Sequence, residues 1–232
     1  MPHLRATPVR RRAFLAGSLA SAAALALPAC TTYGGGFDLT EAVRRLLLLS
    51  SERAFVRLTA PDGFWDQQVA RVGLDGYFGN RGSVLATILT SALFKSRLEE
   101  VVADVAIDAS YRAAPIVTDA VRTIGFANAV ALVRGGPTAA SGYLRQEIGA
   151  RLLDALVPGI GDALRVAQDP LIGQLIAGLT GVDLARTTRG FAAQVEDAIW
   201  NEIAAEEAAI RADPRSTRDP LLIGVLAADA ML

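Results

Sequence analysis

Apolar residues recur every three or four positions through most of this 232-residue chain, and this spacing predicts helices. The clearest example lies between residues 138 and 156, where four apolar side chains share one helix face: Leu144, Ile148, Leu152 and Leu156. We find no segment with the alternating pattern of a β-strand. The sequence therefore predicts an all-α fold, an irregular multi-helix bundle in a single domain.

The helical pattern breaks at glycines and prolines. Patterned segments predict helices over residues 38–59, 83–94, 96–112, 115–123, 138–156 and 183–212, with shorter pieces at 126–133, 162–167, 170–179 and 221–232. Pro115 is expected to begin a helix, and the stretch 158–161 to interrupt one. Between Phe64 and Gly82, four glycines are spaced among aromatic and aliphatic residues, so no helical period is kept and we expect a long packed loop there.

The first 29 residues have the composition of an export signal. They contain four arginines and no acidic residue, followed by an apolar run from Ala13 to Leu27 that is too short for a stable membrane span. Arg11, Arg12, Phe14 and Leu15 follow the pattern of a twin-arginine signal. We therefore predict that residues 1–29 are a signal peptide.

Cys30 follows Leu27-Pro28-Ala29, which is similar to a lipobox, and we expect its thiol to be lipidated. Residues 30–37 would then be a flexible tether, and residues 38–232 a helical domain. Thr31 after the cysteine favours the periplasmic side of the outer membrane. The alternative is an ordinary cleaved signal and a soluble periplasmic protein.

Rare residue types exclude several kinds of chemistry. The chain has one histidine, His3, and one cysteine, Cys30, and both lie in or beside the predicted leader. A processed chain would therefore lack Ser-His-Asp catalysis, zinc sites and disulfides. The formal net charge of −1 argues against nucleic-acid binding. We predict no metal and no cofactor.

An acidic cluster in the segment 183–212 contains the residues that look most capable of chemistry. Glu206 and Glu207 flank the apolar stripe that holds Ile203 and Ile210. Such carboxylates can act as acid and base, bind a hard cation, or pair with arginines. We predict a structural polar network of Tyr143, Glu206 and Glu207, and we assign no catalytic residue.

The uncharged stretch Pro170–Leu179 contains glycines among apolar residues. It could line a cavity for a lipid or a small apolar molecule. The alternative is core packing, in which small residues allow helices to approach closely.

Three motifs resemble an uncharacterised family of exported bacterial proteins, catalogued as domain of unknown function 4197. They are Pro61-Asp62-Gly63-Phe64 with its continuation to residue 74, the segment 135–144 beginning Gly-Gly-Pro, and the Glu-rich segment 199–214. The likeness extends from about residue 39 to residue 226. Gly73, Asp75, Pro137 and Asp104 depart from the family pattern. The resemblance implies a helical, exported and often lipid-anchored protein, and it implies no activity.

These observations predict a lipid-anchored periplasmic protein that acts by binding. Its partners would be the membrane, through the N-terminal lipid, and an envelope protein or an apolar small molecule. The alternative is a carboxylate-dependent hydrolase that acts on an envelope polymer. The two hypotheses differ at Glu206 and Glu207: binding predicts that they pair with arginines, and hydrolysis predicts an open groove where one of them faces a second acid.

Overall fold

The computed structural model describes residues 38–78, 92–166 and 184–229. It contains seven α-helices, with a 3-10 turn, Pro214–Thr217, before the last of them: α1 Leu39–Leu58, α2 Phe64–Phe78, α3 Ala92–Thr123, α4 Ala129–Val133, α5 Ala139–Val166, α6 Leu184–Ala212 and α7 Pro220–Asp229. No strand occurs in these ranges, and the predicted all-α, single-domain fold is confirmed.

Helix α1 forms where the apolar spacing predicts it. The Asp38 side chain accepts a hydrogen bond of 3.0 Å from the Glu41 amide, which satisfies one of the free N–H groups at the helix start. The predicted apolar stripe is buried throughout: Val43, Leu46, Leu47, Phe55 and Leu58.

The core lies between four long helices. Helix α6 packs against both α1 and α5, and α3 packs against α1, α2 and α5. The predicted stripe of α6 is fully buried, with 0% exposure at Val195, Ile199, Ile203 and Ile210. Burial of side chains this size contributes about 1.5–3 kcal/mol each, so the contact of α6 with α1 and α5 is a large source of stability.

The predicted loop between residues 64 and 82 is wrong over residues 64–78, where the chain forms α2. Gly73 adopts φ 71° and ψ 164° and breaks the helix, so the glycine produces a kink and not a loop. Trp65 and Val69 are 0% and 1% exposed, and burial of this face stabilises the helix. The Trp65 indole donates to Ser110 Oγ at 3.0 Å, which joins α2 to α3. Residues 79–82 lie outside the described ranges.

Two prolines that are predicted to bound helices lie inside them. Pro115 is within α3 and Pro158 is within α5, so the predicted breaks at 113–114 and 158–161 are wrong. Both prolines are on the exposed face, where water can solvate the carbonyl that each leaves without a partner. The buried stripe continues past Pro158 at Ile160, and this packing outweighs the lost hydrogen bond.

Candidate functional site

A groove of about 510 Å³ lies on the surface between α1 and α3. Nine side chains line it: Leu48, Glu52, Phe55, Val56, Thr59, Tyr111, Ala114, Thr118 and Arg122. We refer to it as the α1–α3 groove. Its floor is apolar, and two large side chains on its walls are exposed to solvent.

Exposure distinguishes this groove from the core beside it. Val56 is 67% exposed and Tyr111 is 59% exposed, whereas Phe55 is 7% exposed. The Tyr111 hydroxyl donates to the Thr59 carbonyl at 3.4 Å, which holds the ring at the C-terminal end of α1. Glu52 and Arg122 are the charged residues of the lining. The groove can therefore offer an apolar contact surface with one acid and one base.

Glu207 lies on α6 and is fully buried against the start of α5. Its two oxygens accept hydrogen bonds from the amides of Ala140 at 3.0 Å and Ser141 at 2.7 Å. These are the free N–H groups of the first helical turn, where a negative charge is also favoured by the helix dipole. Glu207 therefore caps α5 from a distant part of the sequence.

Arg211, one turn after Glu207 on α6, pairs with that carboxylate at 2.7 Å. The same guanidinium donates to the carbonyls of Leu132 and Val133, each at 2.7 Å, at the end of α4. We call Glu207, Arg211 and these backbone groups the Glu207 cluster. The contacts of both side chains with backbone groups tie α6 to the end of α4 and the start of α5, which indicates a structural role.

The α4–α5 connection leaves no space for a side chain at Gly135. A Cβ there would lie 2.4 Å from the Cβ of Ala139 and 2.8 Å from the carbonyl oxygen of Ala131. A Cβ at Gly136 would have no neighbouring atom within 4 Å. Only the first of the two glycines is therefore required by packing.

Glu206 faces away from this cluster and lies against α1. Its carboxylate is 3.3 Å from the guanidinium of Arg57, and Glu202 lies 3.4 Å from the same guanidinium. Arg57 is 57% exposed and both acids are largely buried. This group joins the C-terminal part of α1 to α6.

Tyr143 has a third set of partners. Its hydroxyl donates to the Gly125 carbonyl at 2.9 Å, and its ring packs against Phe126 with 6.0 Å between centroids. The structure thus gives Tyr143, Glu206 and Glu207 separate partners, and each joins a different pair of segments. Their placement beside the core was predictable, but the particular residues that they contact were not.

The acidic cluster of the sequence also includes Glu196 and Asp197, and an arginine that sequence reasoning missed joins them to the middle of α5. The Arg145 guanidinium binds Glu196 at 3.0 Å and also binds Asp197. Burial raises the pKa of Glu196, and the charge of Arg145 opposes this shift. Gly149 allows the close approach, because a Cβ there would lie 3.1 Å from Glu196 Oε1. No periodic signal within either helix could have identified this cross-helix contact.

Several predicted features lie outside the described residues. These are the export signal at Arg11, Arg12, Phe14 and Leu15, the lipidation site Cys30, and the apolar stretch 170–179. Among the residues that are described, no three His, Cys, Asp or Glu side chains form a group that could hold a metal. In the same ranges, no helix is long and apolar enough to cross a membrane.

The helices and the α1–α3 groove define an all-α protein with an open surface groove, a buried Glu207–Arg211 pair within α6, and partly exposed ion pairs between helices. The chain belongs to the protein family of unknown function DUF4197, whose model matches residues 35–227. The resemblance inferred from the three sequence motifs is therefore confirmed. No curated protein and no solved structure matches the chain.

Proposed function

We propose that this chain is exported, lipidated at Cys30 and held on the periplasmic side of the outer membrane, where its helical body binds an envelope protein through the α1–α3 groove. The leader composition, the twin-arginine pattern and the lipobox-like sequence support export and anchoring. The groove supports binding.

The observation that carries the binding proposal is the exposure of large apolar side chains along the groove. Sites for small molecules are concave and bury most of the ligand surface. Here Val56 and Tyr111 are more than half exposed on the walls of an open groove. A protein surface can cover such side chains, so the geometry favours a protein partner over an apolar small molecule.

The acidic residues favour binding over hydrolysis of an envelope polymer. Glu206 contacts Arg57 and Glu207 contacts Arg211. Glu207 is 0% exposed and its oxygens already accept from two amides. A general acid or base must reach the substrate, and Glu207 has no exposed surface with which to do so.

Metabolic labelling with a fatty acid tests the anchor. Wild-type chain is expected to incorporate the label, and Cys30→Ala is expected to lose it, because the thiol is the proposed attachment atom. Thr31→Ala is the matched control and should retain the label. An unlabelled wild-type chain would instead support a soluble periplasmic protein.

Photo-crosslinking in intact cells tests the interaction surface. A benzophenone amino acid replaces Val56 in the groove or, as the control, Val130 on α4, which is 45% exposed and lies outside the groove. The proposal predicts a discrete protein adduct from position 56 that position 130 does not give. Absence of an adduct at position 56 would contradict it.

A further inference from the structure

The two helices of the α1–α3 groove run in opposite directions. Tyr111 on α3 contacts Thr59 at the end of α1, and Arg122 on α3 lines the same groove as Leu48. The rise of about 1.5 Å per residue in a helix makes the groove about 16 Å long and places Arg122 near the level of Leu48. Glu52 is then one turn from that level, on the opposite wall.

Glu52 and Arg122 are available for a partner. Within the described ranges, Glu52 forms no ion pair. The nearest acid to Arg122 is Asp119, at 3.9 Å, and both of these side chains are more than 60% exposed. An ion pair this long between exposed side chains contributes little free energy, so it does not hold Arg122 in place.

The groove therefore carries an acid on one wall and a base on the other, near the same end. A two-fold axis along the groove would bring α1 of one copy beside α3 of the other. Glu52 would then face Arg122 of the second copy, and the same pair would form again across the axis. Opposite charges on the two walls make the surface complementary to itself.

We propose that the partner in the α1–α3 groove is a second copy of this chain. The two antiparallel helix pairs pack face to face as a four-helix arrangement, with Val56, Tyr111 and Ala114 at its centre and Glu52–Arg122 pairs on its edges. This rests on the proposed function, since it requires the groove to be an interaction surface. It adds the identity of the partner.

The crosslinking experiment at position 56 tests this proposal when it is combined with charge reversal. The full chain with benzophenone at position 56 is produced in cells with a second copy that carries a different tag. The expected adduct has twice the mass of the chain and contains both tags. Glu52→Arg in both copies, or Arg122→Glu in both copies, places like charges together and should lower the adduct about tenfold.

Complementary changes should restore the adduct. The double variant Glu52→Arg/Arg122→Glu exchanges the charges and keeps them opposite, so its adduct should return to the wild-type level. Copies that carry the two single changes separately should also crosslink to each other. Glu147→Arg on the exposed face of α5 is the control and should leave the adduct unchanged.

Each other outcome overturns the second-copy proposal. An adduct with a different protein would refute it and leave the groove as an interaction surface. No adduct at position 56 would refute both this proposal and the proposed function. A double-tagged adduct that does not respond to the charge reversals would show that this two-fold arrangement is wrong.

Discussion

The Glu207 cluster and the α1–α3 groove each contain an acid and an arginine, but in opposite environments. Glu207 is 0% exposed and Arg211 is 11% exposed, and backbone groups occupy their remaining hydrogen-bonding positions. Glu52 and Arg122 lie in solvent on a partly apolar surface. The same residue types therefore stabilise the fold in one region and remain available to a partner in the other.

The largest expected effect is on the buried side of this comparison. Glu207→Gln would leave the Arg211 guanidinium without its counter-charge and weaken the bonds to the first turn of α5. Breaking a buried pair in this way costs about 3–5 kcal/mol. Urea unfolding followed by circular dichroism measures the change in the free energy of unfolding.

Glu206→Gln is the control for that experiment. Glu206 contacts the exposed guanidinium of Arg57, so its loss should cost no more than about 1 kcal/mol. Equal losses for the two variants would contradict the distinction between a fully buried cluster and a pair whose arginine is exposed.

The turn that supports the Glu207 cluster should also be sensitive to added volume. Gly135→Ala places a methyl group 2.4 Å from Ala139 Cβ and forces the α4–α5 connection to shift. Overpacking of this kind costs about 1–3 kcal/mol. Gly136→Ala has open space and should change the free energy of unfolding by less than about 0.5 kcal/mol. Thermal or urea unfolding measures the stability of both variants. A larger loss for Gly136→Ala than for Gly135→Ala would contradict the prediction.

Glu196 is a third buried acid, and its contribution is visible in the pH dependence of stability. Burial raises the pKa of Glu196 above its usual 4.5, despite Arg145. The folded chain therefore holds this proton to higher pH than the unfolded chain, and the group lowers stability as pH rises from 4.5 through the folded pKa. Glu196→Gln should make the free energy of unfolding fall less steeply across that window. If the pH dependence of the free energy of unfolding were unchanged in this variant, the raised pKa of Glu196 would be contradicted.

Asp219, at the start of α7, should behave in the opposite way. Burial alone would raise its pKa, but hydrogen bonds from Arg45 and from the amides of Leu221 and Leu222 outweigh burial and lower it below 3.8. The stabilisation that ionised Asp219 gives the folded chain is present above pH 3.8 and is lost as pH falls through the folded pKa. Asp219→Asn should therefore reduce the loss of stability in acid, as measured by unfolding curves at several pH values.

The smallest expected effect on stability is in the groove. Val56→Glu changes a side chain that is 67% exposed, so the free energy of unfolding should stay within about 0.5 kcal/mol of wild type. The same change should remove association, because it adds charge to the apolar contact. A large loss of stability would mean that Val56 belongs to the core.

Sequence periodicity predicted the helices whose apolar stripes are long and uninterrupted. It located α1 and α6 to within a residue or two, because their stripes continue to their caps. It failed at Pro115 and Pro158, since a local rule cannot include the tertiary packing that carries a helix past a proline. The kinked helix α2 was missed for the same reason: Trp65 and Val69 stabilise it through burial that the glycine spacing does not reveal.

The candidate site was harder to predict than the fold. Glu206 and Glu207 were identified as acids beside the core, but the sequence did not reveal that one is fully enclosed and the other faces Arg57. The α1–α3 groove was missed entirely. Its lining comes from residues about 60 positions apart, and only the antiparallel packing of the two helices brings them together.

Thiol accessibility at position 56 shows whether the α1–α3 groove is covered in the envelope. Val56→Cys and the control Val130→Cys are each labelled with a maleimide, once in intact envelopes and once in dilute detergent extract, and the modified peptides are read by mass spectrometry. We predict that Cys at position 56 is protected in the envelope and reactive in the extract, while the control reacts in both. Equal reactivity at position 56 under the two conditions would contradict the claim that the groove is an occupied interaction surface.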